Sequence, residues 1–183
     1  MQEIFDRKKI WFLIITMLIS LLIGSIVVLA EDNYGAMGAK HAEDYTLEEM
    51  LIYAIQDEYL ARTEYDLIMN QYGVQRPFSN IIKAEEHHIE LLKPLFEKYN
   101  ISIPEDNSSE YVVLPEDIRE ALQIGVNAEI DNIEMYESFL TKDIPADVAF
   151  VFEELKRGSE NHLRAFKNSL NRNDGFGQGY KGK

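Results

Sequence analysis

The chain of 183 residues has room for one domain with appendages, and 46% hydrophobic residues are enough for a buried core. Asp and Glu outnumber Lys and Arg by 32 to 18, a net charge of -14 that excludes a general nucleic-acid binder, because phosphate contacts need a basic surface. There is no cysteine, which excludes disulfide scaffolds, thiolate metal sites and cysteine nucleophiles; any bound metal must be held by histidine and carboxylate.

Residues 10–30 carry no charge and follow Arg7, Lys8 and Lys9. Twenty-one apolar residues are long enough to span a bilayer at about 1.5 Å of rise each. The same stretch also reads as a signal peptide, broken at Gly24-Ser25 and closing on Val28-Leu29-Ala30, a small-residue cleavage pattern. On either reading the basic cluster stays in the cytoplasm and residues 31–183 lie outside it, secreted or anchored to the membrane through residues 10–30. Residues 31–44 are small, polar and aperiodic and read as a linker.

Four helices are expected over 45–170. Helix A opens at Thr46, where Thr46-Leu47-Glu48-Glu49 has the capping-box pattern, and stops before Gly73. Helix B follows Pro77 and runs to about Tyr99, with Pro94 bending or shortening it. Helix C opens at Pro115 and runs to about Leu140; helix D opens near Pro145 and runs to about Leu170. Residues 171–183, with four glycines in 13 positions, read as a flexible tail. Short A–B and C–D turns make each pair an antiparallel hairpin. The B–C link of 15 residues, 100–114, reaches about 50 Å when extended, and a helix of 26 residues is about 39 Å long. The link can therefore run the length of the bundle, which gives an all-α, ferritin-type four-helix bundle of two hairpins joined by a long crossover.

The helical period places Glu58 on the inner stripe of helix A, Glu85 and His88 on that of B, Glu129, Asn132 and Tyr136 on that of C, and Ser159 and His162 on that of D. Each stripe is otherwise largely apolar. A carboxylate in a dry seam is costly unless it is paired or bound to a cation. Glu85 and His88, three apart, share a helical face where both can reach one ion. The alternative is a buried Glu–His hydrogen-bond network without metal. Glu86, His87 and Glu90 fall off the stripe and read as a solvated face.

The two hairpins also repeat one another. Glu58 precedes Tyr65 by seven residues, and Glu129 precedes Tyr136 by seven. Ala84-Glu85-Glu86-His87-His88-Ile89 aligns with Gly158-Ser159-Glu160-Asn161-His162-Leu163. This set resembles the ferritin-like diiron-carboxylate superfamily, rubrerythrin- and bacterioferritin-like, in which each hairpin supplies Glu and then Glu-x-x-His. Glu58, Glu85, His88, Glu129 and His162 match five of the six places. Asp57-Glu58-Tyr59-Leu60-Ala61-Arg62-Thr63-Glu64-Tyr65 is similar to the first helix of rubrerythrins, and the run from Gly158 to Phe166 resembles an exported ferritin-like branch.

The resemblance implies one or two divalent transition-metal ions (iron, manganese or zinc), oxygen or peroxide as a reaction partner, and a homo-oligomer. Tyr65 and Tyr136, one to two turns from their Glu, can donate hydrogen bonds or electrons beside the metal; the alternative is core packing with a satisfied hydroxyl. The sixth place holds Ser159, and the neighbouring Glu160 points about 100° away on an ideal helix. Asn132, Ser159 and Glu160 are therefore the weaker ligand candidates. Two functions follow. One is an iron-dependent oxidoreductase, ferroxidase- or peroxidase-like, with an incomplete site. The other is a non-enzymatic metal-binding or envelope module on the same bundle.

Overall fold

The computed structural model describes residues 33–73 and 76–178, the last six by backbone only; the apolar segment 10–30 and residues 179–183 lie outside the described residues. Five α-helices follow in order: α1 (Gly35–His41), α2 (Leu47–Tyr72), α3 (Phe78–Lys98), α4 (Ile118–Leu140) and α5 (Ala146–Gln178), with a short 3-10 turn at Ser108–Glu110 between α3 and α4. The last four are long and pack as a bundle. Among the described residues no helix is long and apolar enough to cross a membrane.

The helix ends follow local chemistry. Thr46 and Glu49 form both halves of the capping box that starts α2: Glu49 N–H donates to Thr46 Oγ1 at 3.2 Å and Thr46 N–H to Glu49 Oε2 at 2.8 Å. Gly73 ends α2 at φ 64°, its N–H donating to Met69 O. Pro94 does not end α3, which continues through it to Lys98; the chain then turns at Asn100, φ 54°, a left-handed position that asparagine tolerates. α4 starts three residues later than Pro115, because Asp117 supplies the cap, accepting from Glu120 N–H at 2.8 Å.

Two apolar clusters hold the bundle, one towards each end. The first joins Met50, Leu51 and Ile55 at the start of α2, Leu92, Leu95 and Phe96 at the end of α3, Met135 and Phe139 at the end of α4, and Val148 and Phe152 at the start of α5. The second joins Tyr65 and Ile68 late in α2, Phe78 and Ile81 early in α3, Ala121, Leu122 and Val126 early in α4, and Phe166 late in α5. α3 therefore finishes at the first end and α4 begins at the second. The intervening segment covers the length of the bundle, running along α2, where Ser108 Oγ lies 2.7 Å from Thr63 Oγ1 and Arg62 pairs with Asp106.

Two expectations need correction. Residues 33–44 are not a free linker. α1 lies across α2 and α4: Ala36 N–H donates to Asp57 Oδ1 at 2.9 Å, and Lys40 Nζ meets Asp131 Oδ1 at 2.6 Å. Its small residues mark close approach, not flexibility; a Cβ on Gly38 would lie 2.8 Å from the Tyr53 ring. The tail also starts later than its composition indicates. α5 continues eight residues past Leu170, to Gln178, because each residue added to a formed helix fixes one more backbone hydrogen bond and no proline interrupts it.

Candidate metal centre

Between the two apolar clusters lies a polar layer built from the middles of all four long helices. Glu58, Glu85, Glu129, His88 and His162 are all buried, the three carboxylates at 2% exposure or less. The periodic pattern puts them there: each sits on the inward stripe of its helix, flanked by core residues one turn away on either side.

His88 Nδ1 is 3.0 Å from Glu58 Oε2 and 2.9 Å from Glu85 Oε2. His162 Nδ1 is 3.1 Å from Glu85 Oε1 and 3.3 Å from Glu129 Oε1. These make two triads, Glu58–Glu85–His88 and Glu85–Glu129–His162, in each of which one donor atom per residue lies within 4.8 Å of the others. Glu85 belongs to both, one oxygen turned to each imidazole. The two imidazole rings stack, centroids 5.7 Å apart.

The tyrosines cross between hairpins. Tyr136 of the second donates to Glu58 Oε1 of the first at 2.8 Å, and Tyr65 of the first donates to Glu129 Oε1 of the second at 3.1 Å. Both are also core residues, 0% and 1% exposed, so packing and hydrogen bonding are served by the same rings. Burial, followed by the facing carboxylate charge, raises both phenol pKa values well above the ordinary range. Each phenol therefore stays protonated and donates; at Glu58 this leaves Oε2 to face His88, whereas at Glu129 the same Oε1 faces both Tyr65 and His162.

The remaining candidates divide. Ser159 is buried, but its hydroxyl donates to Leu155 O at 3.3 Å, one turn back on its own helix. Glu160 is half-buried and belongs to neither triad; α5 is unbroken through this stretch, so nothing rotates Glu160 inward. Asn132 is 5% exposed, and its Oδ1 has no hydrogen-bond partner. Glu86, His87 and Glu90 are exposed. Gly158 makes room for the site, since a Cβ there would fall 2.5 Å from His88 Cε1.

Two carboxylates escaped the sequence reading. Asp57 accepts from the α1 backbone, and Glu64 is buried beside Tyr65. The signal that finds them is a second stripe on α2, at 57, 61, 64 and 68, one position off the stripe that carries Glu58.

Electrostatics describe the layer without metal. Burial lowers both imidazole pKa values, but the facing carboxylates outweigh it, holding His88 at about 11 and His162 at about 10. Burial lifts Glu58 to about 7 against the pull of His88. Glu85 goes the other way, to about 2, because burial raises it but its pairing with both imidazoles outweighs that desolvation.

The donor set fits a divalent transition metal. Carboxylate oxygen and imidazole nitrogen suit iron, manganese and zinc. His162 Nδ1 is buried between two carboxylate oxygens and aligned for a hydrogen bond to neither. In this second triad the donors surround a common centre instead of pointing at one another, as a chelating set requires; in the first, His88 Nδ1 bonds to both carboxylates.

Comparison with known proteins places this geometry in context. A family described as an uncharacterized protein domain, DUF2202, matches residues 48–120, the part that contains Glu58, Glu85 and His88. The uncharacterized protein MJ0754 of Methanocaldococcus jannaschii is 34% identical over 139 residues, covering 68% of this chain and 75% of that protein. The crystal structure of hypothetical protein MJ0754 superposes with a TM-score of 0.63 at 32% identity, over 73% of this chain and 85% of that one. The chain carries a DUF2202 domain and belongs to the same family as the archaeal protein MJ0754.

Proposed function

We propose that this is a ferritin-like carboxylate metal protein that holds one or two divalent ions at its centre, through Glu58, Glu85 and His88 on one side and Glu85, Glu129 and His162 on the other. The observation that carries this is the sharing of Glu85 between two pseudo-symmetric triads, each steadied by a tyrosine from the opposite hairpin. The up-down-down-up order of the helices, with one long crossover, supports the ferritin-like reading of the bundle.

Bound iron would supply one-electron chemistry towards oxygen or peroxide, which makes an iron-dependent oxidoreductase the first functional reading. The protein's own part is to exclude bulk water with the two apolar clusters and to hold Glu58 Oε1 and Glu129 Oε1 in place through Tyr136 and Tyr65. Asn132 Oδ1, buried without a partner, is a further oxygen donor on the face that carries Glu129. A second reading, a metal-binding or envelope module without turnover, is favoured by one observation: the serine at 159 turns its hydroxyl to the backbone, and leaves the counterpart of Glu85 uncharged.

Metal analysis of full-length protein purified without chelators tests the proposal. One or two equivalents of iron, manganese or zinc are expected; metal-free protein that takes up none on titration would count against it. Acid should release the metal. With the imidazoles at about 11 and 10, each must lose its Nδ1 proton to become a ligand. Affinity therefore falls about tenfold per pH unit for each imidazole proton restored. Below about 7, Glu58 takes up a proton as well, and the loss steepens. A metal affinity independent of pH between 6 and 8 would be inconsistent with these ligands.

We also propose that the bundle lies outside the cytoplasm, supported by Arg7–Lys9 ahead of the uncharged segment 10–30. Protease added to intact cells, or recovery of the domain from periplasm or medium, checks this; full protection in the cytosolic fraction would overturn it.

A further inference from the structure

Glu64 is a buried carboxylate that the metal centre does not use. It is 8% exposed, against 0%, 2% and 2% for Glu58, Glu85 and Glu129, so it is the outermost of the four. Each of the other three has a tyrosine or histidine partner; among the described residues Glu64 has no hydrogen bond or ion pair. Neither of its carboxylate oxygens is fully buried, so the group touches solvent, but little of it does, and an unpaired carboxylate so far desolvated is destabilising.

Its place in the fold is informative. Glu64 lies seven residues, or about two turns, beyond Asp57 on the same face of α2. α1 covers the groove between α2 and α4 at Asp57 and Asp131. Glu64 therefore lies further along that face than α1, the described cover, reaches. Its inner neighbour is Glu129: burial raises the Glu64 pKa to about 7, and the charge of Glu129 adds to the rise. The next residue along, Tyr65, holds Glu129 Oε1.

We propose that Glu64 is the way in for the metal, a carboxylate that takes a divalent cation from solvent and hands it to Glu129 in the Glu85–Glu129–His162 triad. This rests on the metal-binding reading of the centre. A cation passing Glu64 meets carboxylates of increasing burial, and its charge offsets the unpaired carboxylate along the way. The opposite face is a poorer route. His88 and His162 are each 7% exposed, but an imidazole edge offers a cation no negative charge, and Gly158 packs against the His88 ring.

The test is the rate at which full-length, metal-free protein takes up Co²⁺, followed by stopped-flow absorbance of the metal d–d bands. Glu64→Gln removes the charge at nearly constant shape and should slow uptake about tenfold, the low end of electrostatic focusing, with the same final absorbance. Glu64→Asp keeps the charge and should load near the wild-type rate. The glutamine variant should also melt at a higher temperature than wild type without metal, which confirms that it is folded. Wild-type uptake rates in Glu64→Gln, or equal slowing in both variants, would overturn the proposal. A lower final absorbance in Glu64→Gln would make Glu64 a ligand and overturn it too. Wild-type protein that develops no d–d bands would instead remove the metal reading of the centre, and this inference with it.

Discussion

Replacing Glu85 and His88 together by alanine is expected to abolish metal binding while leaving helix content close to that of the wild type. Glu85 contributes an oxygen to each triad and His88 the only imidazole to the first, so the pair removes a donor from both positions at once. Outer partners of a metal typically carry about ten- to a hundredfold each in affinity, and two direct ligands carry more, so the loss should exceed about a thousandfold. The bundle should survive because both apolar clusters are untouched and the remaining members of the two triads keep a partner. Glu58 retains Tyr136 at 2.8 Å, and His162 retains Glu129 at 3.3 Å. His88→Ala alone should be harsher on the metal-free protein, since it strips the shared imidazole from two buried carboxylates, a loss of about 3–5 kcal/mol. Metal content by mass spectrometry and helicity by circular dichroism check both statements; unchanged metal in the double variant would remove the site.

Ser159→Glu should raise the number of tightly held divalent ions to two. With three carboxylates, two divalent ions leave one positive charge in a buried layer, whereas one ion leaves one negative charge. A fourth carboxylate balances two ions. Residue 159 is the position to supply it, being 1% exposed, three residues before His162 and the counterpart of Glu85 in the repeat. The native serine cannot stand in, because a hydroxyl is a weak neutral ligand and this one is turned to Leu155 O. The substitution has an opposite effect without metal. It adds a fourth carboxylate to a dry layer, so the metal-free variant should melt below wild type and recover on loading, by mass action. Stoichiometry and melting temperature, each with and without metal, give the result. Glu160→Gln serves as the control and should change neither; two tight ions in wild type, cut to one by Glu160→Gln, would show that Glu160 supplies the missing carboxylate after all.

The sequence by itself determined the four long helices and the buried position of five ionisable residues. Both follow from one-dimensional rules. Apolar residues at alternating steps of three and four fix an inward stripe on a helix, and a charged residue on that stripe is buried whatever the helix packs against. Thr46 with Glu49 and Gly73 marked the ends of α2 because capping is local, settled within four residues.

Tertiary structure decided what depends on a partner distant in the chain. α1 looked like a linker because Gly35, Ala36, Gly38 and Ala39 carry no periodic signal of their own; their small size has meaning only against Asp57 and Tyr53. The spacing from Glu58 to Tyr65 and from Glu129 to Tyr136 was legible, but not that each tyrosine serves the other hairpin's carboxylate, 64 and 78 residues away. That Glu85 serves both imidazoles, that Ser159 bonds backwards and that Glu64 stands alone are likewise matters of which side chains meet. A helical period says which face a residue occupies. Only packing says what faces it, and a buried carboxylate takes its chemistry from what it faces.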